Sequence, residues 1–153
     1  MKFLLIAFVI FLALAPLSHF VPSKRQRKIA RLREYAAVHG LFVEFRHLPG
    51  SSREGSPARG AGQQIIYYGK RLPPARHGQD SLQAAWLHDE QGWHGITEGS
   101  RGVPALVEQL PPGMLAASVD DASCGIYWRE DGDEELVEKI RADLEAWAAE
   151  IRG

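Results

Sequence analysis

His88 and His94 flank a turn in the stretch Trp86-Leu87-His88-Asp89-Glu90-Gln91-Gly92-Trp93-His94-Gly95-Ile96. The stretch reads as a β-hairpin, because Asp at the first turn position and Gly at the last suit a type I turn followed by a left-handed residue. In the expected register the two imidazoles oppose one another and share a face with Trp86 and Ile96. Two such imidazoles can begin a metal site, but a closed zinc site takes four ligands. His47, His77, Asp89 and Asp121 could supply the others by availability alone. The plainer reading is a pair of sheet histidines beside a packed tryptophan. The sequence therefore leads us to expect no metal and no cofactor, with His88 and His94 as the residues that would test this.

Cys124 is the one cysteine of the chain and follows Asp120-Asp121-Ala122-Ser123. A nucleophile needs a base beside it, and no histidine is near Cys124 in sequence, so a structural thiol is expected. Patterns for a nucleophile elbow, a phosphate-binding loop, a dinucleotide site or a redox Cys pair are not found. Gly60-Ala61-Gly62 leads into no helix carrying Lys and Ser or Thr, so it is not read as a phosphate cradle. These residues point away from an enzyme. A single cysteine also precludes an intrachain disulfide and leans toward a reducing compartment.

The elements that would position these residues follow from patterning. Leu41–Arg46 reads as a first strand and Gln64–Tyr68 as a second, separated by the loop Pro49–Gln63, rich in Gly, Ser, Pro and Arg. Val103–Leu110 reads as a short helix and Gly125–Arg129 as another strand. Val137, Ile140, Leu144, Trp147, Ala148 and Ile151 make one face of a terminal helix, with Asp131 as cap and Glu134 completing a capping box. Such a stripe packs on one face of an antiparallel sheet, which gives an α+β domain over residues 41–153.

Residues 3–21 contain no charged side chain. Nineteen helical residues would span about 28 Å, close to the roughly 30 Å bilayer core. We expect a transmembrane anchor over residues 1–22. Its alternative is a cleaved signal peptide, disfavoured by Pro16 directly after the best small-residue site and by the lack of a polar stretch beyond it. Pro16, Ser18 and His19 would lie near the cytoplasmic end. Lys24, Arg25, Arg27, Lys28, Arg31 and Arg33 follow, on a basic juxtamembrane helix over residues 23–40, capped by Ser23 and stopped by Gly40. Its cations would lie on anionic headgroups and hold the C-terminal side in the cytoplasm. The expected location is thus a single-pass position in a bacterial inner membrane, N-terminus outside. With Tyr35 as its one aromatic, the helix is not built for nucleic acid. Beyond it, residues 35–153 carry 11 Lys and Arg against 18 Asp and Glu, so a basic collar precedes an acidic domain.

An apolar N-terminal stretch followed by Lys24-Arg25-Gln26-Arg27-Lys28 and a small β-containing domain resembles the layout of YajC, the accessory subunit of the bacterial preprotein translocase. The resemblance covers about the first 35 residues. It lacks that family's paired-glycine, Asp-Val-Thr type β motif and implies no site residues. The function expected is a membrane-anchored, non-enzymatic protein whose cytoplasmic domain binds a protein partner, in a membrane complex such as a translocase. The alternatives are a secreted or periplasmic domain released from a signal peptide, and a metal-binding or enzymatic domain using the hairpin histidines.

Overall fold

The computed structural model describes residues 1–14, 22–50, 64–74 and 81–153. The loop 51–63, the segment 15–21, and with them Gly60-Ala61-Gly62, Pro16, Ser18 and His19, lie outside the described residues, as does His77. The chain forms two units, residues Met1–Ala30 and Arg31–Gly153.

The first unit holds α1, Lys2–Leu14, and the start of α2, Lys24–Val38. The thirteen residues of α1 reach about 20 Å at 1.5 Å per residue, well short of a bilayer core. Among the described residues no helix is long and apolar enough to cross a membrane. The expected transmembrane anchor, the single-pass inner-membrane location and the outside-to-inside orientation are corrected by this. The reading treated residues 3–21 as one continuous helix. Among the described residues α1 covers Lys2–Leu14. The Ser23 cap is present as a reciprocal box: Gln26 N donates to Ser23 Oγ at 3.2 Å, and Ser23 N donates to Gln26 Oε1 at 2.8 Å.

In the second unit a six-stranded antiparallel sheet runs in the order β1-β2-β6-β5-β3-β4. The strands are β1 Phe42–His47, β2 Gln64–Arg71, β3 Ala84–Asp89, β4 Gly92–Gly95, β5 Met114–Val119 and β6 Ser123–Trp128. Helix α3 is Ala105–Glu108 and helix α4 is Glu134–Arg152. The α+β class and the packed C-terminal helix are as expected. The central strand β5 has no counterpart in the sequence reading. Its Met-Leu-Ala-Ala-Ser-Val run lacks alternation because both faces are covered; Ala116 and Ala117 are fully buried on opposite sides.

One face of the sheet carries the main core. Ile66, Tyr68, Trp86, Ile126 and Trp128 meet Leu32 and Ala36 from α2 and Val137, Ile140, Leu144 and Trp147 from α4. The helix cap is Asp133, whose side chain accepts from Leu136 N at 3.0 Å, rather than Asp131. Helix α2 ends as predicted at Gly40, with φ at 82° and Leu41 N donating to Ala36 O. The second face is smaller, built on Tyr67, Ala116 and Tyr127 with Phe42, Ile65, Leu87 and Leu115 around them. Gly125 permits this packing, since a Cβ there would collide with the Tyr67 ring and the Tyr68 carbonyl oxygen.

Candidate functional site

The sheet has two edges of unequal length. β4 has four residues and β1 has six. Among the described residues β1 pairs only with β2, from Phe42 opposite Gly69 to His47 opposite Gln64. The backbone groups on its outer side have no backbone partner among the described residues. An open edge of this kind is a template for another strand. Period-two geometry sends Val43, Phe45 and His47 to the helix side and Phe42, Glu44 and Arg46 to the other. Phe45 is 56% exposed, with the Arg33 guanidinium 5.2 Å from its ring centroid.

Beside β1 on the second face lies a cleft of about 500 Å³, lined by Phe42, Arg46, Arg71, Pro74 and the β5–β6 turn. Arg46 lies over the Tyr67 ring at 3.9 Å from the centroid, pairs closely with Glu44 and reaches Asp120 at 3.7 Å. Arg71 sits 5.5 Å from the Phe42 centroid and has no carboxylate in ion-pair reach among the described residues. Burial holds the Tyr67 phenol far above its ordinary pKa, so it stays neutral beneath Arg46. Asp120 Oδ1 accepts from Ala122 N and Ser123 N, both at 2.8 Å, which shapes the turn. None of these residues was named as a site from sequence. The available signal was the Phe-Val-Glu-Phe-Arg-His run, whose alternation marks both faces of β1 but not its place at the edge.

The hairpin histidines are placed differently from expectation. The turn is Glu90-Gln91, with Asp89 opposite Gly92 and Gly92 at φ 97°. The register sets Leu87 opposite His94 and His88 opposite Trp93. A one-residue slip sends every side chain to the other face, so the two imidazoles lie on opposite sides of the sheet, both exposed. The His88 ring lies 5.0 Å from the Trp93 ring, and His94 Nδ1 is 3.5 Å from Asp89 Oδ2. His47 is exposed at the end of β1. Asp121 is occupied by Leu82 N at 2.6 Å and Ser81 Oγ at 2.8 Å, which holds its carboxyl below the usual range. Among the described residues no cluster of three or more His, Cys, Asp or Glu could hold a metal ion.

Cys124 is fully buried, with Sγ 3.8 Å from Leu144 O. Burial pushes its thiol up to about 12, the condition of an inert structural cysteine.

Of the six cations assigned to a membrane surface, Lys24, Arg25, Arg27, Lys28 and Arg31 are exposed. Arg33 instead pairs within the second unit. Its Nε donates to Glu130 Oε1 at 2.8 Å and its Nη2 to Oε2 at 2.6 Å. Tyr68 Oη donates to the same carboxylate at 2.9 Å.

No protein-family model matches this chain, and neither a curated protein nor a solved structure showed significant similarity to it.

Proposed function

We propose that the second unit is a non-catalytic binding domain and that a protein partner docks along β1. One observation carries this reading: a six-residue edge strand, open along its outer backbone among the described residues, presents Phe45 at 56% exposure. Addition of a strand to such an edge gives affinity through main-chain hydrogen bonds and selectivity through alternate side chains. The adjoining cleft, with Arg71 over Phe42, adds a charged and aromatic rim of the kind that interfaces favour. The non-catalytic part of the reading is supported by the buried, raised Cys124 thiol and by the separation of His88 from His94 across the sheet.

The test replaces Phe45, in the full chain, with a photo-crosslinking amino acid, and Glu98, an exposed loop residue, in a second variant. Illumination in the expressing cell should give a discrete protein adduct from position 45 and none from position 98. Equal labelling at both, or none at position 45, would sink the reading.

A second reading concerns the first unit alone. Lys24, Arg25, Arg27 and Lys28 are exposed, and the chain has no Asp or Glu before Glu34. An unbalanced cluster of this kind favours an anionic surface by about 1 kcal/mol per cation. We assign these four residues to contact with anionic lipid headgroups, at the surface and without a crossing. Cosedimentation of the full chain should be stronger with vesicles containing phosphatidylglycerol than with phosphatidylcholine alone. The preference should vanish when the four cations become Gln; a preference that survives would remove the assignment.

A further inference from the structure

We propose that the strand which docks on β1 is β1 of a second copy of this chain, running antiparallel about a twofold axis level with Phe45. The proposal rests on the reading of β1 as a docking edge and names its partner.

A twofold axis perpendicular to the sheet keeps each side chain on its own face, so the axis, which runs between the two strands, must lie level with one residue, which then faces its own copy. With Phe45 level with the axis, Phe45 meets Phe45 of the other copy, Glu44 meets Arg46, Val43 meets His47, and Phe42 meets Leu48. No pair then opposes like charges, and the Glu44–Arg46 pairs are complementary. Glu44 and Arg46 point to the same face of β1 and are already neighbours within one chain. Across the dimer they would form a four-charge cluster of alternating sign. Neighbouring registers lose this: an axis at Glu44 sets two carboxylates against each other, and an axis at Arg46 sets two guanidinium groups together. Opposed like charges disfavour cross-strand pairs, and opposed unlike charges favour them. The exposed Phe45, an apolar side chain on an edge that charges otherwise protect, meets its own copy in the Phe45-centred pairing, so that one contact covers both rings. The interface is isologous, so it closes as a dimer and does not grow into a fibre.

The full chain tests this in two ways. Glu44→Arg and Arg46→Glu each place like charges together in a homodimer, and each should weaken self-association roughly tenfold or more. Mixing the two variants restores unlike charges at both positions and should restore the dimer, read by sedimentation. Restoration on mixing cannot come from the apolar α1, which both variants share. Cysteine placement reads the register directly, because Cys124 is buried and unreactive. Phe45→Cys should form a disulfide dimer by itself. Val43→Cys and His47→Cys should couple to each other in a mixture more readily than either couples to itself. Failure of mixing to rescue association, or equal coupling at all three positions, would overturn the second-copy assignment. If a photo-crosslink from position 45 then captures a different protein, the binding reading stands without it; if position 45 captures nothing, both fall.

Discussion

Arg33 on α2 and Glu130, just after β6, form a two-point ion pair at 2.6 and 2.8 Å. The Glu130 side chain is only 4% exposed while that of Arg33 is 35% exposed. Glu130 also holds a left-handed backbone, φ 57°, which a non-glycine residue adopts at a cost. Arg33 and Tyr68 therefore hold the carboxylate in a place its own backbone does not favour. The pair also joins α2 to the sheet beside Leu32 and Ala36.

Removing one partner of a buried pair leaves the other uncompensated, typically by about 3 to 5 kcal/mol. Half-exposed Arg33 lowers that figure through solvent screening. Arg33→Ala should cost about 2 kcal/mol in chemical denaturation, with Glu130 left buried and unpaired. Glu130→Gly removes the same pair but relieves the backbone, and should cost less than Arg33→Ala. The reverse order would mean that the backbone conformation is not strained.

Glu138 on α4 accepts from Arg141 and from Tyr35 Oη on α2, the latter at 3.0 Å. The Arg141 guanidinium, and then the Tyr35 hydroxyl, hold its carboxyl down at about 2, against the ordinary 4.5. A carboxyl whose folded value is depressed contributes stability above its unfolded value and loses it as pH falls toward the folded one. The thermal midpoint should therefore decline as pH drops from about 4.5 to about 2. Glu138→Gln should flatten part of that decline and leave the midpoint at pH 7 to 9 with the same pH dependence as in the parent chain. A decline of unchanged steepness in the variant would remove Glu138 from the account.

His88 and His94 occupy opposite faces of one hairpin. Contacting residues couple in double-mutant cycles and residues without shared partners add within about 0.5 kcal/mol. His88→Ala should lose its contact with Trp93, and His94→Ala its contact with Asp89. The double variant should equal the sum of the two in denaturant midpoint. A substantial coupling energy, or stoichiometric zinc lost in both single variants, would restore the opposed pair expected from sequence.

The elements whose reasons are local were legible in the sequence. Val137, Ile140, Leu144 and Trp147 recur at helical spacing and are all buried in α4. Ser23 and Gly40 bound α2 because a hydroxyl cap and a left-handed glycine act within one turn. Cys124 was read as structural because no base lies near it, and it is buried. Tertiary structure decided the rest. Strand β5 is two-sided, so its small residues show no period. The hairpin register turned on a single residue at Gly92, and a sheet of period two converts that slip into opposite faces. The described N-terminal helix covers Lys2–Leu14, a length that summed hydropathy over residues 3–21 does not contain. Arg33 looked like one more cation of a basic run until α2 packed its Leu32 face on the sheet and brought Glu130 within reach. Phe45 and Arg46 gained their meaning from strand order alone, since nothing in Phe-Val-Glu-Phe-Arg-His says that β1 has one neighbour among the described strands.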